Sequence, residues 1–286
     1  MKLSEINIRD PFILTHEGKY YMYGTRAKYT WGDGTKYDYG FDVYVSEDLE
    51  SWSDPVSVFE YYEGFYGFKD FWAPEVHKYN GKFYMFASFH LENGPRGTAI
   101  LVSNTPNGKF VPHSNGFVTP SDWFCLDGTF YLEGDTPYIV FCHEWTQVKN
   151  GEVCAIELSK DLSHAISEPN LLWRAGDASW CDDIRGNGSY VTDGPFLIKR
   201  DDTLLSIWSS FHNGEYCEAV ARSDNGKING NWKIDDNLLY KKNGGHGMIF
   251  TDFMGNDLFL FHQPNETPNE RPCFTKINID NLINNR

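Results

Sequence analysis

The hydrophobic positions of this chain fall into pairs of short apolar runs, and a polar or glycine-containing turn separates the two runs of a pair. Residues 12–14 and 19–23 form the first pair, on either side of the turn at 16–18. Runs of this length between turn residues are typical of β-hairpins. Four similar pairs follow, and the intervals of 64, 53, 66 and 53 residues separate the starting points Asp10, Pro74, Asp127, Asp193 and His246.

This repeat predicts a β-propeller, because each blade is one antiparallel sheet and blades recur at such intervals. Further apolar stretches at 43–46, 99–103, 153–158 and 219–223 provide outer strands, and the tail at 273–277 is expected to add one that helps to close the ring. Segments with a helical period are missing. We therefore expect an all-β fold, a five-bladed β-propeller, formed as a single domain by residues 1–286.

Composition narrows the possible partners. Hydrophobic residues make up 41% and aromatic residues 16% of the chain, enough for a large core and for aromatic surfaces that stack on sugars. The net charge of −15 repels polyanions, so nucleic acid is not an expected partner. No apolar run reaches membrane-spanning length, so no membrane association is expected. If Met1 is the native start, the expected location is the cytoplasm; a removed signal peptide would imply a periplasmic or secreted protein.

In a propeller the innermost strands meet at the central axis, so equivalent positions of the blades converge at one end of the pore. We expect Asp10, Asp127, Asp193 and His246 to share that position in blades one, three, four and five. Asp10 precedes Pro11, which favours an extended backbone before it and fixes its own φ. Carboxylates that converge repel one another, which separates their pKa values and supplies a general base and a general acid together.

These motifs resemble glycoside hydrolase family 43, and the resemblance extends over essentially the whole chain. It rests on five short segments in order, namely Arg9-Asp10-Pro11, Trp72-Ala73-Pro74-Glu75, Leu126-Asp127-Gly128, Asp193-Gly194-Pro195 and Gly245-His246-Gly247. The resemblance implies that Asp10 is the general base, that Asp127 tunes the pKa of the acid and orients it, and that Asp193 is the general acid. It also implies a structural calcium ion in the pore beside His246, which would contact the ion or its water.

One position departs from the family pattern, because the residue before Gly194-Pro195 is usually Glu and is Asp193 here. Glu144, at the end of the second strand of blade three, is therefore a second candidate for the acid. Trp72, Trp145, Glu75 and His246 are expected to bind substrate. Trp72 and Trp145 are equally compatible with core positions, and Glu75 with a role in holding the adjacent loop.

The resemblance implies an inverting glycosidase acting on arabinose- or xylose-containing oligosaccharides or polysaccharides, most simply an α-L-arabinofuranosidase or a β-xylosidase. Two alternatives stay open. A fructan-type propeller glycosidase also carries Arg-Asp-Pro but works as a retaining enzyme with a Glu, for which Glu218 would be the best candidate, although Glu218 lies at the wrong place in the repeat. A catalytically impaired carbohydrate-binding propeller would explain Asp193.

Overall fold

The computed structural model describes residues 1–31 and 34–284, and its strands form five antiparallel sheets in which neighbours in sequence are neighbours in space. The all-β, five-bladed propeller is confirmed. The blades contain, in chain order, β1 (Ile8–His16), β2 (Lys19–Arg26), β3 (Gly40–Ser46) and β4 (Val56–Glu60); β5 (Gly67–Tyr79), β6 (Lys82–Leu91), β7 (Arg96–Ser103) and β8 (Val111–Phe117); β9 (Cys125–Glu133), β10 (Thr136–His143), β11 (Glu152–Glu157) and β12 (Asn170–Arg174); β13 (Asp193–Arg200), β14 (Thr203–His212), β15 (Glu215–Ser223) and β16 (Trp232–Ile234); and β17 (Gly245–Thr251), β18 (Asp257–Gln263) and β19 (Arg271–Lys276).

Helices are short and lie outside the blades. The described residues contain α1 (Trp145–Val148) and α2 (Ile279–Asn284), together with 3₁₀ turns at Leu3–Glu5, Ala27–Tyr29, Lys36–Asp38 and Ala175–Asp177. None of the described helices is long and apolar enough to cross a bilayer. The six cysteines are free thiols.

The core lies between the blades, because each sheet buries both of its faces against its neighbours. One buried cluster joins blades one, two and five, another joins blades three and four, and smaller clusters join blades two and three and blades four and five. Large aromatic side chains fill these wedge-shaped spaces, including Tyr23, Phe86 and Trp208, all fully buried. This packing explains why the inner strands have near-continuous apolar runs.

Each innermost strand is interrupted by the same β-bulge, in which two residues face one residue of the second strand. In every blade the first of the two has a positive φ between 44° and 55°, namely Asp10, Ala73, Asp127, Gly194 and His246. The second residue is always proline or glycine. Bulges re-aim side chains and disrupt the local ladder, so five equivalent side-chain positions are turned out of the sheets at one end of the pore.

The backbone N–H of each bulge residue, which the bulge leaves without a ladder partner, donates to a side chain of the preceding blade. Ala73 donates to Thr25 Oγ1, Asp127 to Ser88 Oγ, and His246 to Ser209 Oγ, at 2.8, 2.9 and 2.6 Å. The acceptors occupy one equivalent position of the second strands, directly opposite the residue before the bulge. A buried N–H needs a partner, and these hydroxyls therefore tie successive blades together around the pore.

The ring of cross-blade bonds closes between the last blade and the first. His262 on β18 accepts the N–H of Asp10 through Nδ1 at 3.2 Å. Asn7 also donates to the carbonyls of Pro268 and Glu270. The tail forms the predicted outer strand β19, which pairs with β18 inside blade five. Among the described residues we find no strand pairing between blades one and five, so side-chain bonds and packing close the propeller.

Candidate active site

Asp10 lies at the bulge of β1 and is almost fully buried. Its Oδ2 accepts from Thr25 Oγ1 at 2.6 Å, and its Oδ1 lies 3.2 Å from both Arg9 Nε and His246 Nδ1. Because the N–H of Ala73 already donates to the hydroxyl of Thr25, the single hydroxyl proton points at Asp10. Burial acts to raise the pKa of Asp10, but His246 and Arg9 outweigh it and hold that pKa well below its usual range. Asp10 is therefore ionised, as a general base requires.

Asp127 occupies the equivalent position in blade three and is also buried. Its Oδ2 accepts the N–H of Gly194 at 3.0 Å, so the carboxyl binds the peptide that directly follows Asp193. The second-strand residue that supplies a hydroxyl in blades one, two and four is Cys142 in blade three, and Asp127 provides the acceptor in its place. Burial, and after it the charge of Asp10, raise the pKa of Asp127 to about 8.

Asp193 does not share the position of Asp10, Asp127 and His246, which corrects the expected alignment. The bulge residue of blade four is Gly194, and Asp193 lies one residue earlier, at the position of Arg9 and Trp72. A side chain at Gly194 would meet the ring of His246, since a Cβ there would lie 2.7 Å from His246 Cδ2. Blade four therefore presents its carboxyl from the preceding position, partly exposed.

The Asp193 carboxyl interacts with Asp127 and with Tyr216. Its Oδ2 accepts from the Tyr216 hydroxyl at 3.1 Å. Burial in the pore, and after it the negative charge of Asp127, raise the pKa of Asp193 to about 7. The predicted repulsion by Asp127 is present, although burial has the larger effect. The site thus pairs one ionised carboxylate with carboxyls whose pKa values are raised to near neutral pH, which is the division of roles needed for acid–base catalysis.

His246 stands between the two buried aspartates. Its Nδ1 lies 3.2 Å from Asp10 Oδ1 and 3.8 Å from Asp127 Oδ2, and the other side of its ring faces Gly194. This places His246 as an electrostatic partner of the base. In residues 1–31 and 34–284 no group of three or more His, Cys, Asp or Glu side chains is arranged to hold a metal ion. The described side chains thus do not fit a metal site built from such ligands, and the calcium ion stays a prediction, which a fall in Tm on chelation would support.

Glu144 lies at the same end of the propeller but in a different set of contacts. Its Oε2 accepts from Arg96 Nη1 at 2.7 Å, and Arg96 Nη2 donates to Asp70 Oδ2 at 2.7 Å. All three side chains are buried. The structure therefore commits the Glu144 carboxylate to an ion pair with Arg96, whereas Asp193 keeps its position beside Asp127, and this favours Asp193 as the acid.

Trp72 belongs to the wall of the opening. Its ring stacks against the guanidinium of Arg96, 4.0 Å from Cζ to the ring centroid, and meets Trp31 edge to face at 5.4 Å. Its Nε1 donates to the carbonyl of Thr30. Trp31 is 60% exposed although its Nε1 bonds to Thr267 Oγ1. The two tryptophans make a rigid aromatic surface beside the aspartates, which suits the apolar face of a sugar.

Glu75 and Trp145, which were also predicted to bind substrate, lie in different surroundings. Glu75 is buried and accepts from Thr129 Oγ1 at 2.6 Å, with His77 Nε2 3.0 Å from the same oxygen. The bond to Thr129 joins blades two and three, which gives Glu75 a structural role between blades, and its contact with substrate stays a prediction. Trp145 is half-buried at the start of α1, and the guanidinium of Arg185 lies 4.3 Å from its ring centroid. Trp145 remains at the opening, where substrate contact stays a prediction.

Sequence reasoning missed the supporting residues Thr25, Tyr216 and His262, and it considered Glu218 only as the candidate Glu of a fructan-type enzyme. Glu218 is fully buried and accepts from Ser209 Oγ at 2.6 Å and from the N–H of Gly247 at 3.1 Å. It thus fixes the backbone that carries His246. A Glu bound in this way behind the site does not match the acid of a fructan-type enzyme. The sequence did contain one signal for Glu218. It is an ionisable residue inside an apolar strand, and such a residue needs a buried partner.

A five-bladed propeller with one ionised carboxylate and carboxyls of raised pKa at one end of its pore fits a glycoside hydrolase. Over residues 3–281 the chain matches the family model described as Glycosyl hydrolases family 43. The chain belongs to this family, whose members invert the anomeric configuration, and it is an enzyme that hydrolyses glycosidic bonds.

Three relatives show how near the likeness is. The crystal structure of the endo-arabinase from Bacteroides thetaiotaomicron VPI-5482 is 37% identical, covers 97% of this chain and 96% of that chain, and superposes with a TM-score of 0.89. Alpha-L-arabinofuranosidase 43 of Humicola insolens is 22% identical over 238 residues, which span 72% of this chain but only 47% of that protein. Extracellular endo-alpha-(1->5)-L-arabinanase 1 of Bacillus subtilis (strain 168) is 22% identical over 235 residues, which span 69% of this chain and 70% of that protein.

Proposed function

We propose that this protein is an arabinanase that cleaves internal bonds of arabinose polymers, with Asp10 as general base and Asp193 as general acid. The observation that carries the substrate class is the likeness to the Bacteroides endo-arabinase over nearly the full length of both chains. The exposed Trp31 beside Trp72 supports a site that holds a sugar chain beyond the cleaved bond. This differs from the arabinofuranosidase or xylosidase activity that the sequence first suggested.

The residues divide the reaction between the two faces of the sugar. Asp10, ionised by Arg9 and His246, removes a proton from a water molecule as the water oxygen attacks the anomeric carbon. Asp193 gives its proton to the glycosidic oxygen as that bond breaks, so the leaving sugar departs as a neutral alcohol. The water adds opposite the leaving group, and the configuration inverts. Asp127 binds the peptide after Asp193, and repulsion between the two carboxylates adds to burial in raising the pKa of the acid.

Product analysis tests the substrate class. The purified protein is incubated with debranched linear arabinan, with xylan and with aryl arabinofuranosides and xylosides, and the products are separated by size. We expect arabino-oligosaccharides of several lengths from arabinan at early times. Arabinose as the sole early product would instead indicate an exo-acting arabinofuranosidase, and xylose products would indicate a xylosidase. Tight binding of arabinan without hydrolysis of any substrate would indicate the impaired binding propeller.

A further inference from the structure

Tyr216 contacts the acid from behind the site. Its side chain is 1% exposed and extends from β15, the third strand of blade four. The hydroxyl donates to Asp193 Oδ2 at 3.1 Å. A phenol has one proton to donate, so this bond fixes one oxygen of the acid. The other oxygen is left for the glycosidic bond.

His262 contacts the base in a similar way. It is completely buried on β18 of blade five, and Nδ1 accepts the N–H of Asp10 at 3.2 Å. A peptide N–H can only donate, so Nδ1 carries no proton, and Nε2 donates to Asn265 Oδ1 at 3.2 Å. Burial lowers the pKa of His262 to about 3, with Arg9 adding to the effect, so the ring stays neutral.

The two rings stack on each other. Their centroids are 5.6 Å apart and their planes differ by 19°. The stack therefore forms a continuous connection from the Asp193 carboxyl, through Tyr216 and His262, to the backbone of Asp10. An inverting enzyme needs a fixed separation between acid and base, because a water molecule must fit between the base and the sugar.

We propose that Tyr216 is a positioning residue for the general acid, and that its stacking on His262 sets the place of Asp193 relative to Asp10. This rests on the roles given to Asp10 and Asp193 in the proposed function. A short aspartate in a position where glutamate is usual has a narrower reach, and the Tyr216 hydroxyl holds it on the side of the base. The hydrogen bond also favours the ionised carboxylate, which opposes the effect of burial and keeps Asp193 acidic enough to give up its proton.

Tyr216→Phe tests this directly, because it removes the hydroxyl and keeps the ring that stacks on His262. The titratable and charged groups around Asp193 are Asp127, His246, Arg9, Tyr216, Glu218 and Cys142, and this variant changes only Tyr216. We expect the basic limb of the pH profile of kcat/KM to move to higher pH by about one unit. We also expect kcat at the optimum to fall by roughly tenfold with KM within about twofold of the wild type, since the acid is less well placed.

Tyr240→Phe is the matched control. Its hydroxyl donates to Gln263 Oε1 at 2.8 Å, away from the aspartates, so this variant should keep the wild-type pH profile and kcat. An unmoved basic limb in Tyr216→Phe, or the same shift in Tyr240→Phe, overturns the proposal. The pH at which the basic limb falls depends on the pKa of Asp193 and not on the amount of folded enzyme. It therefore reports on Asp193 even if Tyr216→Phe is less stable. The comparison uses whichever glycoside the wild type hydrolyses. If the wild type does not hydrolyse arabinan, the proposed substrate is wrong, but the pH profiles of the variants on another glycoside still test the role of Tyr216.

Discussion

Three aspartates in one site differ in their affinity for protons because their immediate neighbours differ. Asp10 has Arg9, His246 and the Thr25 hydroxyl around it, whereas Asp127 and Asp193 lie in the pore beside another carboxylate. Cation contacts stabilise the charged form, and burial beside like charges destabilises it. Residue identity alone therefore does not separate the base from the acid, and the neighbours of each carboxyl do.

The charge of Asp127 predicts the effect of Asp127→Asn. The amide oxygen of Asn still accepts the N–H of Gly194, but the negative charge that raises the pKa of Asp193 is lost. The pKa of Asp193 should fall below its wild-type value of about 7, and the basic limb of kcat/KM should move to lower pH. A pH profile of the variant against the wild type measures this. A limb that stays in place or moves to higher pH would show that Asp127 does not control the acid.

At the scale of the strand, the five bulges and the side chains that accept their N–H groups hold the site together. Ser209→Ala removes the acceptor of the His246 N–H and the donor to Glu218. A buried group left without a partner costs about 1–3 kcal/mol, so we expect the free energy of unfolding to fall by about that amount. Urea denaturation measures the change.

Ser206→Ala is the control on the same strand. Ser206 is equally buried, but its hydroxyl donates to the adjacent carbonyl of Ile207, and no bulge N–H depends on it. It should cost clearly less than Ser209→Ala, and it should leave kcat unchanged. Equal losses of stability in the two variants would mean that the cross-blade hydrogen bonds of Ser209 stabilise the fold no more than the local bond of Ser206.

Much of this element-level organisation was visible in the sequence, because paired apolar runs at blade-like intervals predict hairpins and a propeller. The position of Asp193 was assigned one residue too late in the repeat. Aligning the second bulge residue, which is Pro or Gly in all five blades, would have placed Gly194 with Asp10 and Asp127. Tyr216 and His262 were not predictable, since aromatic residues in strands ordinarily indicate core, and their contacts arise between different blades.

At the scale of the whole molecule, burying carboxyls at the pore makes stability depend on pH. The pKa values of Asp127 and Asp193 are raised in the folded state to about 8 and about 7 from ordinary values near 3.8. The unfolded chain releases these protons first as pH rises, so their contribution is complete below about pH 4 and is lost as pH rises through the folded pKa values. Asp10 has the opposite sign, and its contribution is lost only as the pH falls below about 4.

We therefore expect the free energy of unfolding to decrease between about pH 5 and pH 8. Urea denaturation at a series of pH values measures this decrease, and Asp127→Asn should make it shallower because one of the raised carboxyls is gone. Equal slopes for the two proteins would contradict the raised pKa of Asp127.

The identity of the general acid is tested most directly by how the hydrolysis rate depends on the leaving group. A series of aryl arabino-oligosaccharides with leaving groups of different pKa is hydrolysed by the wild type, Asp193→Ala and Glu144→Ala. Loss of a general acid slows substrates with poor leaving groups most and activated ones least. Asp193→Ala should show a steep dependence on leaving-group pKa, whereas Glu144→Ala, which breaks the ion pair with Arg96, should slow all substrates alike. A steep dependence in Glu144→Ala, with a shallow one in Asp193→Ala, would contradict the assignment of Asp193 as the acid.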